Sequence, residues 1–161
     1  MESRSSGAEN KITWVIVIMA VFGLVYVGYS AVFGDVKNST AVSVGPKTFY
    51  AKLAQTDAER EKGLSGTEKL AENEGLLMVF DREATWKIWM KDMNYPIDIV
   101  WIDDKKKVVH TVRNARPDSY PDRYFMPSQN ALYVLELPDG SVNKYGIAVG
   151  KQVNFDHERS M

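Results

Sequence analysis

The sequence predicts a mainly β protein, a small β-sandwich or barrel with one or two short helices, preceded by a single N-terminal transmembrane helix. Three observations predict it. Residues 12–33 contain no charged side chain. Beyond them, turn residues cut the chain into many short apolar or alternating runs, the pattern of sandwiches and barrels. Helical periodicity is almost absent from the same region.

The apolar run is the first element. At 1.5 Å per residue a helix of that length covers roughly 30 Å, the thickness of the bilayer hydrocarbon. Trp14 near one end and Tyr26, Tyr29 and Phe33 toward the other sit where interfacial aromatics anchor a span. A cleaved signal peptide has a shorter apolar region and a small-residue cleavage site, and neither is evident. The reading is therefore a tail over 1–11, an uncleaved signal anchor over 12–34, and a linker over 35–41. The positive-inside count is close to a tie, but a short N-terminal tail before a first apolar segment usually stays in the cytoplasm. The expectation is a single-pass protein of the cell membrane whose domain faces outside the cytoplasm, with the membrane itself as a partner.

The domain spans 42–155, followed by a disordered tail over 156–161. Val42 to Val44 and Thr48 to Leu53 read as strands around the turn at Gly45-Pro46. Thr56-Asp57-Ala58-Glu59 matches a capping box, so a short helix follows and ends near Gly63 in a left-handed C′ conformation. Leu76 to Phe80 is an unbroken apolar run, read as a strand buried on both faces. Trp86 to Met90 is a further strand candidate, broken at Asn94-Tyr95-Pro96. Ile97 to Ile102 and Val108 to Val112 form a hairpin over the charged connector 103–107. Residues 114–129 form a long irregular loop, and such loops are often functional. Ala131 to Leu137 is the next strand. A turn at Pro138-Asp139-Gly140 and one helical turn from Ser141 follow, and residues 147–153 end the fold.

Composition excludes several functions. Lys plus Arg number 20 against 21 Asp plus Glu, and the net charge is −1. A nearly neutral domain has no broad field for nucleic acid, so none is expected as a partner. There is no cysteine, which removes disulfides, thiol nucleophiles and thiolate metal sites. The two histidines, His110 and His157, are far apart, so no His-rich metal site forms. No metal and no cofactor are expected. Ser65 has no His-Asp companion, so a serine hydrolase is unsupported.

Six ordered blocks carry a resemblance. They are Glu59-Arg60-Glu61-Lys62-Gly63-Leu64, Glu74-Gly75-Leu76-Leu77-Met78-Val79-Phe80, Trp89-Met90-Lys91-Asp92-Met93, Pro96-Ile97-Asp98-Ile99-Val100-Trp101, Tyr133-Val134-Leu135-Glu136-Leu137-Pro138-Asp139-Gly140, and Val149-Gly150. In this order and spacing, from about Val44 to Val153, the chain resembles the DUF192 family, a bacterial and archaeal domain of unknown function. The resemblance implies a jelly-roll-like β fold, often exported or membrane-anchored, and no particular reaction. The chain departs from the usual pattern at Ser65 and Thr67, at Asp92-Met93, and at Ile88, where relatives carry Met, Arg, Asn-Thr and an aromatic.

The candidate site residues are polar groups on apolar faces. Asp98 shares a strand face with Val100 and Ile102, and Glu136 shares one with Leu132 and Val134. A carboxyl in such a place costs several kcal/mol unless it is paired or hydrogen-bonded. Arg60 and Lys91 are the expected partners, with Glu136 pairing Arg60 inside the fold. Trp89, between two lysines, either packs under their stems or stacks a ring. The candidate binding cleft is thus Arg60, Trp89, Lys91, Asp92, Asp98 and Glu136, with no catalytic residue assigned. The leading expectation is a non-catalytic, extracytoplasmic binding module for a small molecule, glycan or envelope protein. The alternatives are a glycoside-type hydrolase using Asp98 and Glu136 as acid and base, and a purely structural envelope protein.

Overall fold

A computed structural model of the chain describes residues 39–156. The tail over 1–11, the helix expected over 12–34, most of the linker and residues 157–161 lie outside the described residues. Among the described residues no helix is long and apolar enough to cross a membrane.

The strands are β1 (Ser39–Val44), β2 (Lys47–Ala54), β3 (Glu74–Ala84), β4 (Ile97–Ile102), β5 (Val108–Ala115), β6 (Ala131–Pro138) and β7 (Val153–Asn154). Two short helices, α1 (Asp57–Lys62) and α2 (Ser141–Lys144), and one 3-10 turn (Pro117–Ser119) complete the domain. The expected strand over 86–90 is instead a loop, whose one β-bridge joins Ile88 to Phe125. β1 begins at Ser39, inside the expected linker, because its backbone pairs with β2 as far as Ser39 opposite Lys52.

A small sandwich or barrel was the expectation, and the finding is one seven-stranded sheet, in the order β5-β4-β6-β3-β2-β1-β7. Only β2 and β3 run parallel, Ala51 opposite Gly75 and Leu53 opposite Leu77. Parallel neighbours need a crossover, and the segment 55–73 with α1 supplies it.

The sheet curls into a half-barrel. One apolar cluster draws Val42, Val44 and Phe49 from one end of the sheet and Ile102 and Val108 from the other. A flat sheet of seven strands, spaced about 4.8 Å apart, could not bring those residues together. Segment 150–153 spans the gap. Val108 N–H donates to the carbonyl of Lys151 at 2.9 Å, and Val153 N–H to that of Lys106 at 2.8 Å.

Alternation sends the other side chains outward. Leu76, Met78 and Phe80 of β3, Ile97, Ile99 and Trp101 of β4 and Val134 of β6 form a second cluster with Ile88, Met90 and Phe125 from the loops. The run over β3 is unbroken because both faces are covered, as the apolar pattern suggested. Its neighbour is β6, where Leu76 faces Glu136 and Met78 faces Val134. Gly75 permits this approach: a Cβ there would stand 2.9 Å from the carbonyl oxygen of Glu136.

Candidate functional site

α1 is built as the sequence predicts. Thr56 Oγ1 accepts from the amide of Glu59 at 3.2 Å, and Glu59 Oε2 accepts from the amide of Thr56 at 2.9 Å. The same carboxylate accepts from Gln55 N–H at 2.9 Å. These bonds hold the Glu59 carboxyl below its ordinary range, the Thr56 amide contributing most. The helix stops at Gly63, which has φ 51° and ψ −130°. The positive φ was expected, but this ψ lies outside the left-handed helical basin, in a region open essentially to glycine alone. The turn sends Leu64 and Ser65 back over the outer face of the sheet.

Between that turn and the sheet lies a cavity of about 410 Å³. Its walls are the α1 end with Gly63 to Ser65, Met78 and Phe80 of β3, the loop residues Lys87 to Trp89, Met93, and Tyr124. Glu136 of β6 is part of the lining. Volume and apolar lining suit a small-molecule site.

Glu136 is the unusual member. It is 3 % exposed, and its Oε2 is sealed from solvent with no hydrogen-bond partner. Its cross-strand neighbours are Leu76 on β3 and Ile99 on β4. Desolvation pushes this carboxyl up to about 8, so it is largely protonated at neutral pH.

Its expected partner is engaged elsewhere. Arg60 donates through Nη1 to the carbonyl of Val79 at 2.6 Å and to that of Gln55, and through Nη2 to Asp57 Oδ1 at 2.5 Å. Its guanidinium also lies 5.0 Å from the centroid of Phe80. Those acceptors hold the fork against β3 and its own helix, so Arg60 caps the crossover and does not neutralise Glu136. The nearby Tyr95 hydroxyl is committed too. Thr67 Oγ1 donates to the carbonyl of Leu64 at 2.6 Å, which leaves Tyr95 O–H to donate to Thr67 at 2.5 Å. Burial pushes the Tyr95 phenol above its ordinary range, and the Glu136 charge adds to the effect.

The expected cleft is only partly assembled. Arg60, Trp89 and Glu136 line the cavity. Lys91 is exposed beside it, its Nζ 5.9 Å from the Trp89 ring centroid, and its carbonyl accepts from Ser65 Oγ at 2.7 Å. Asp92 works through its backbone: it holds φ 55°, which Asp tolerates better than most residues, and its carbonyl accepts from Gly66 N–H at 2.8 Å. Asp92 does not line the cavity.

Asp98 is a correction. It is fully buried, but on the inner face of the half-barrel, paired with Leu137 across β4 and β6. Glu136 pairs with Ile99, the next residue, and therefore faces outward. Asp98 Oδ1 accepts from Asn114 N–H at 2.9 Å, and Oδ2 from Val142 N–H at 2.7 Å. The first bond secures Asn114 at φ 51° and the second starts α2. Asp98 thus clamps two backbone segments and shares no cavity with Glu136.

Trp101 is fully buried, and its Nε1 donates to the carbonyl of Trp86 at 2.9 Å. Trp86 stacks on Phe80 with centroids 4.1 Å apart. Trp89 differs. It is half-buried, 6.2 Å from Tyr124 and 6.3 Å from Tyr120 by centroids, at the cavity edge. Met78 and Phe80 were readable as wall residues, since alternation sets both on the face of Glu136. Tyr124 carries no such signal, because it comes from the irregular loop. Among the described residues no group of three or more His, Cys, Asp or Glu side chains could hold a metal ion.

The model of DUF192, described as "Uncharacterized ACR", matches residues 39–155. The chain belongs to the DUF192 family. A UPF0127 protein of Thermococcus sibiricus is 28 % identical over 113 residues, which is 69 % of this chain and 69 % of that protein. Among solved structures, a protein of unknown function from Novosphingobium aromaticivorans aligns with TM-score 0.68 and 28 % identity, over 72 % of this chain and 84 % of its own. A Sinorhizobium meliloti protein, provisionally named a transcription regulator, aligns with TM-score 0.68 and 24 % identity, over 73 % and 93 %. The last likeness concerns the fold alone. The six sequence blocks all fall inside the DUF192 match, and four of them, those holding Arg60, Met78, Trp89 and Glu136, contribute to the cavity lining.

Proposed function

We propose that this DUF192 domain is a non-catalytic binding module that holds a small molecule in the cavity over Glu136. In this reading residues 12–34 tether the domain to the cell membrane, facing outside the cytoplasm. One observation carries the binding reading: Glu136 Oε2 is a buried polar atom with no protein partner, in the lining of a cavity of about 410 Å³. An unsatisfied buried oxygen costs on the order of 1–3 kcal/mol. A ligand group that pairs with it recovers that cost, so the cavity favours occupation. Apolar walls around a few polar groups are the usual make-up of ligand pockets.

The hydrolase alternative loses its basis, because Asp98 and Glu136 project from opposite faces of the sheet. Two carboxyls need a shared cleft to act as acid and base on one bond.

The binding test is protein-observed NMR on the full chain in lipid nanodiscs, with methyl-labelled methionine. Met78 and Met93 both line the cavity and report on occupation. Water-soluble fragments are expected to move both methyl signals saturably. Fragments that bind the protein while leaving both signals in place would refute the reading. For the tether, protease added to intact cells should remove the domain, and full protection would place it inside instead.

A further inference from the structure

We infer that the buried end of the cavity recognises an uncharged carbonyl or amide group, on a ligand with an aromatic or aliphatic body, through the Glu136 carboxyl. The inference rests on the binding reading above and adds the chemistry of the ligand.

Geometry excludes the other ways of satisfying this carboxyl. Its strand neighbours Leu76 and Ile99 offer no polar group. The Tyr95 hydroxyl is spent on Thr67, and the Arg60 guanidinium on Asp57 and two carbonyls. A Cβ on Gly63 would stand 3.8 Å from Oε2, so the absent side chain leaves room beside the oxygen. A carboxyl isolated among apolar groups stays neutral, and a neutral carboxyl both donates and accepts. A carbonyl takes its proton, and an amide also offers N–H to its carbonyl oxygen.

The charges at the mouth argue against a cationic ligand. Of the ionisable groups in the lining, Asp57 is paired with Arg60, which leaves one acidic residue at the mouth, Glu61, and two basic ones, Lys62 and Lys87. The unpaired balance of the lining is positive. An ammonium would meet that field on its way to a carboxyl that desolvation keeps protonated. The body of the ligand meets Met78 and Leu64 on the walls, and Trp89 with Tyr124 at the mouth. Tyr124 is 49 % exposed, which leaves ring surface free for contact.

The probes are benzamide, benzylammonium and benzoate, titrated into the full chain in nanodiscs and read on the Met78 and Met93 methyls. At pH 6 benzamide is expected to bind at least tenfold more tightly to the wild type than to Glu136→Leu. That advantage should fade as the pH is raised through about 8, where the carboxyl loses its proton. Glu136→Gln keeps a neutral donor and acceptor, and should hold its affinity across the whole range. Equal affinity of the wild type and Glu136→Leu for benzamide overturns the inference and leaves the binding reading standing. Preference for benzylammonium, growing with pH, also overturns it and assigns a carboxylate–ammonium site. Preference for benzoate overturns it as well and assigns the lysines as the recognising groups. If no probe or fragment moves either methyl, both readings fall together.

Discussion

Gly63 and Glu136 meet at the inner end of the cavity: a Cβ on Gly63 would stand 3.8 Å from Glu136 Oε2 and 3.3 Å from Met78 Cε. One residue thus ends α1 and keeps the space beside the buried carboxyl open. Gly63→Ala is therefore expected to act twice. The φ of 51° with ψ −130° strains any L side chain, at a cost of about 1–3 kcal/mol. The added methyl also narrows the cavity. Urea titration of the intact chain, followed by tryptophan fluorescence, should show the lost stability, and the Met78 methyl titration a weaker probe affinity. Unchanged values of both would detach Gly63 from the site.

Glu136 should make the domain less stable as the pH rises. Its folded-state carboxyl titrates at about 8 against an ordinary 4.5, so the folded state binds the proton more tightly. The contribution is fully present below pH 4.5 and is lost as the pH climbs through 8. Linkage puts the full change at roughly 4–5 kcal/mol. The difference between wild type and Glu136→Gln isolates it, since other titrating groups cancel. A flat difference between pH 5 and pH 9 would show that the carboxyl has found a partner or water.

Asp98→Ala is expected to weaken the fold and spare the cavity. The substitution removes the acceptor of the buried Val142 amide and that of the Asn114 amide, which lies nearer solvent. The orphaned Val142 amide alone costs about 1–3 kcal/mol. Where the variant still folds at low temperature, its probe affinity should match the wild type, because Asp98 faces the other side of the sheet. A lost affinity with intact stability would return Asp98 to the site.

Thr56→Ala probes how the crossover holds the cavity roof. It removes the acceptor for Glu59 N–H and should cost about 1 kcal/mol. Local amide exchange from 57 to 66 is expected to quicken more than exchange in β3. Uniform quickening across the sheet would mean that α1 opens only with the whole domain.

Much of this fold was legible residue by residue. The capping box at Thr56 and Glu59, the doubly buried run over β3 and the hairpin over 103–107 all follow local rules. Local rules do not say how strands find distant neighbours. The parallel pairing of β2 with β3 and the curl that unites Val44 with Ile102 are therefore absent from any window of sequence. The candidate site shows the same division. That Asp98 and Glu136 needed partners was readable from their apolar faces. Which of them found partners depended on register: one step along β4 sets Asp98 inward, against two amides, and Ile99 outward beside Glu136. Arg60 was the expected partner of Glu136, but the carbonyl of Val79 and the Asp57 carboxylate lie within reach of the fork and claim it first.

The lone carboxyl of β6 bears on how this domain responds to laboratory evolution. Selection for heat tolerance alone would be expected to discard Glu136 early, since Leu there would match Leu76 and Ile99 and relieve a buried polar atom. Selection for occupancy of the cavity would hold it in place. The two regimes pull position 136 in opposite directions, and the residue retained under each would expose a trade-off between durability and recognition at a single side chain.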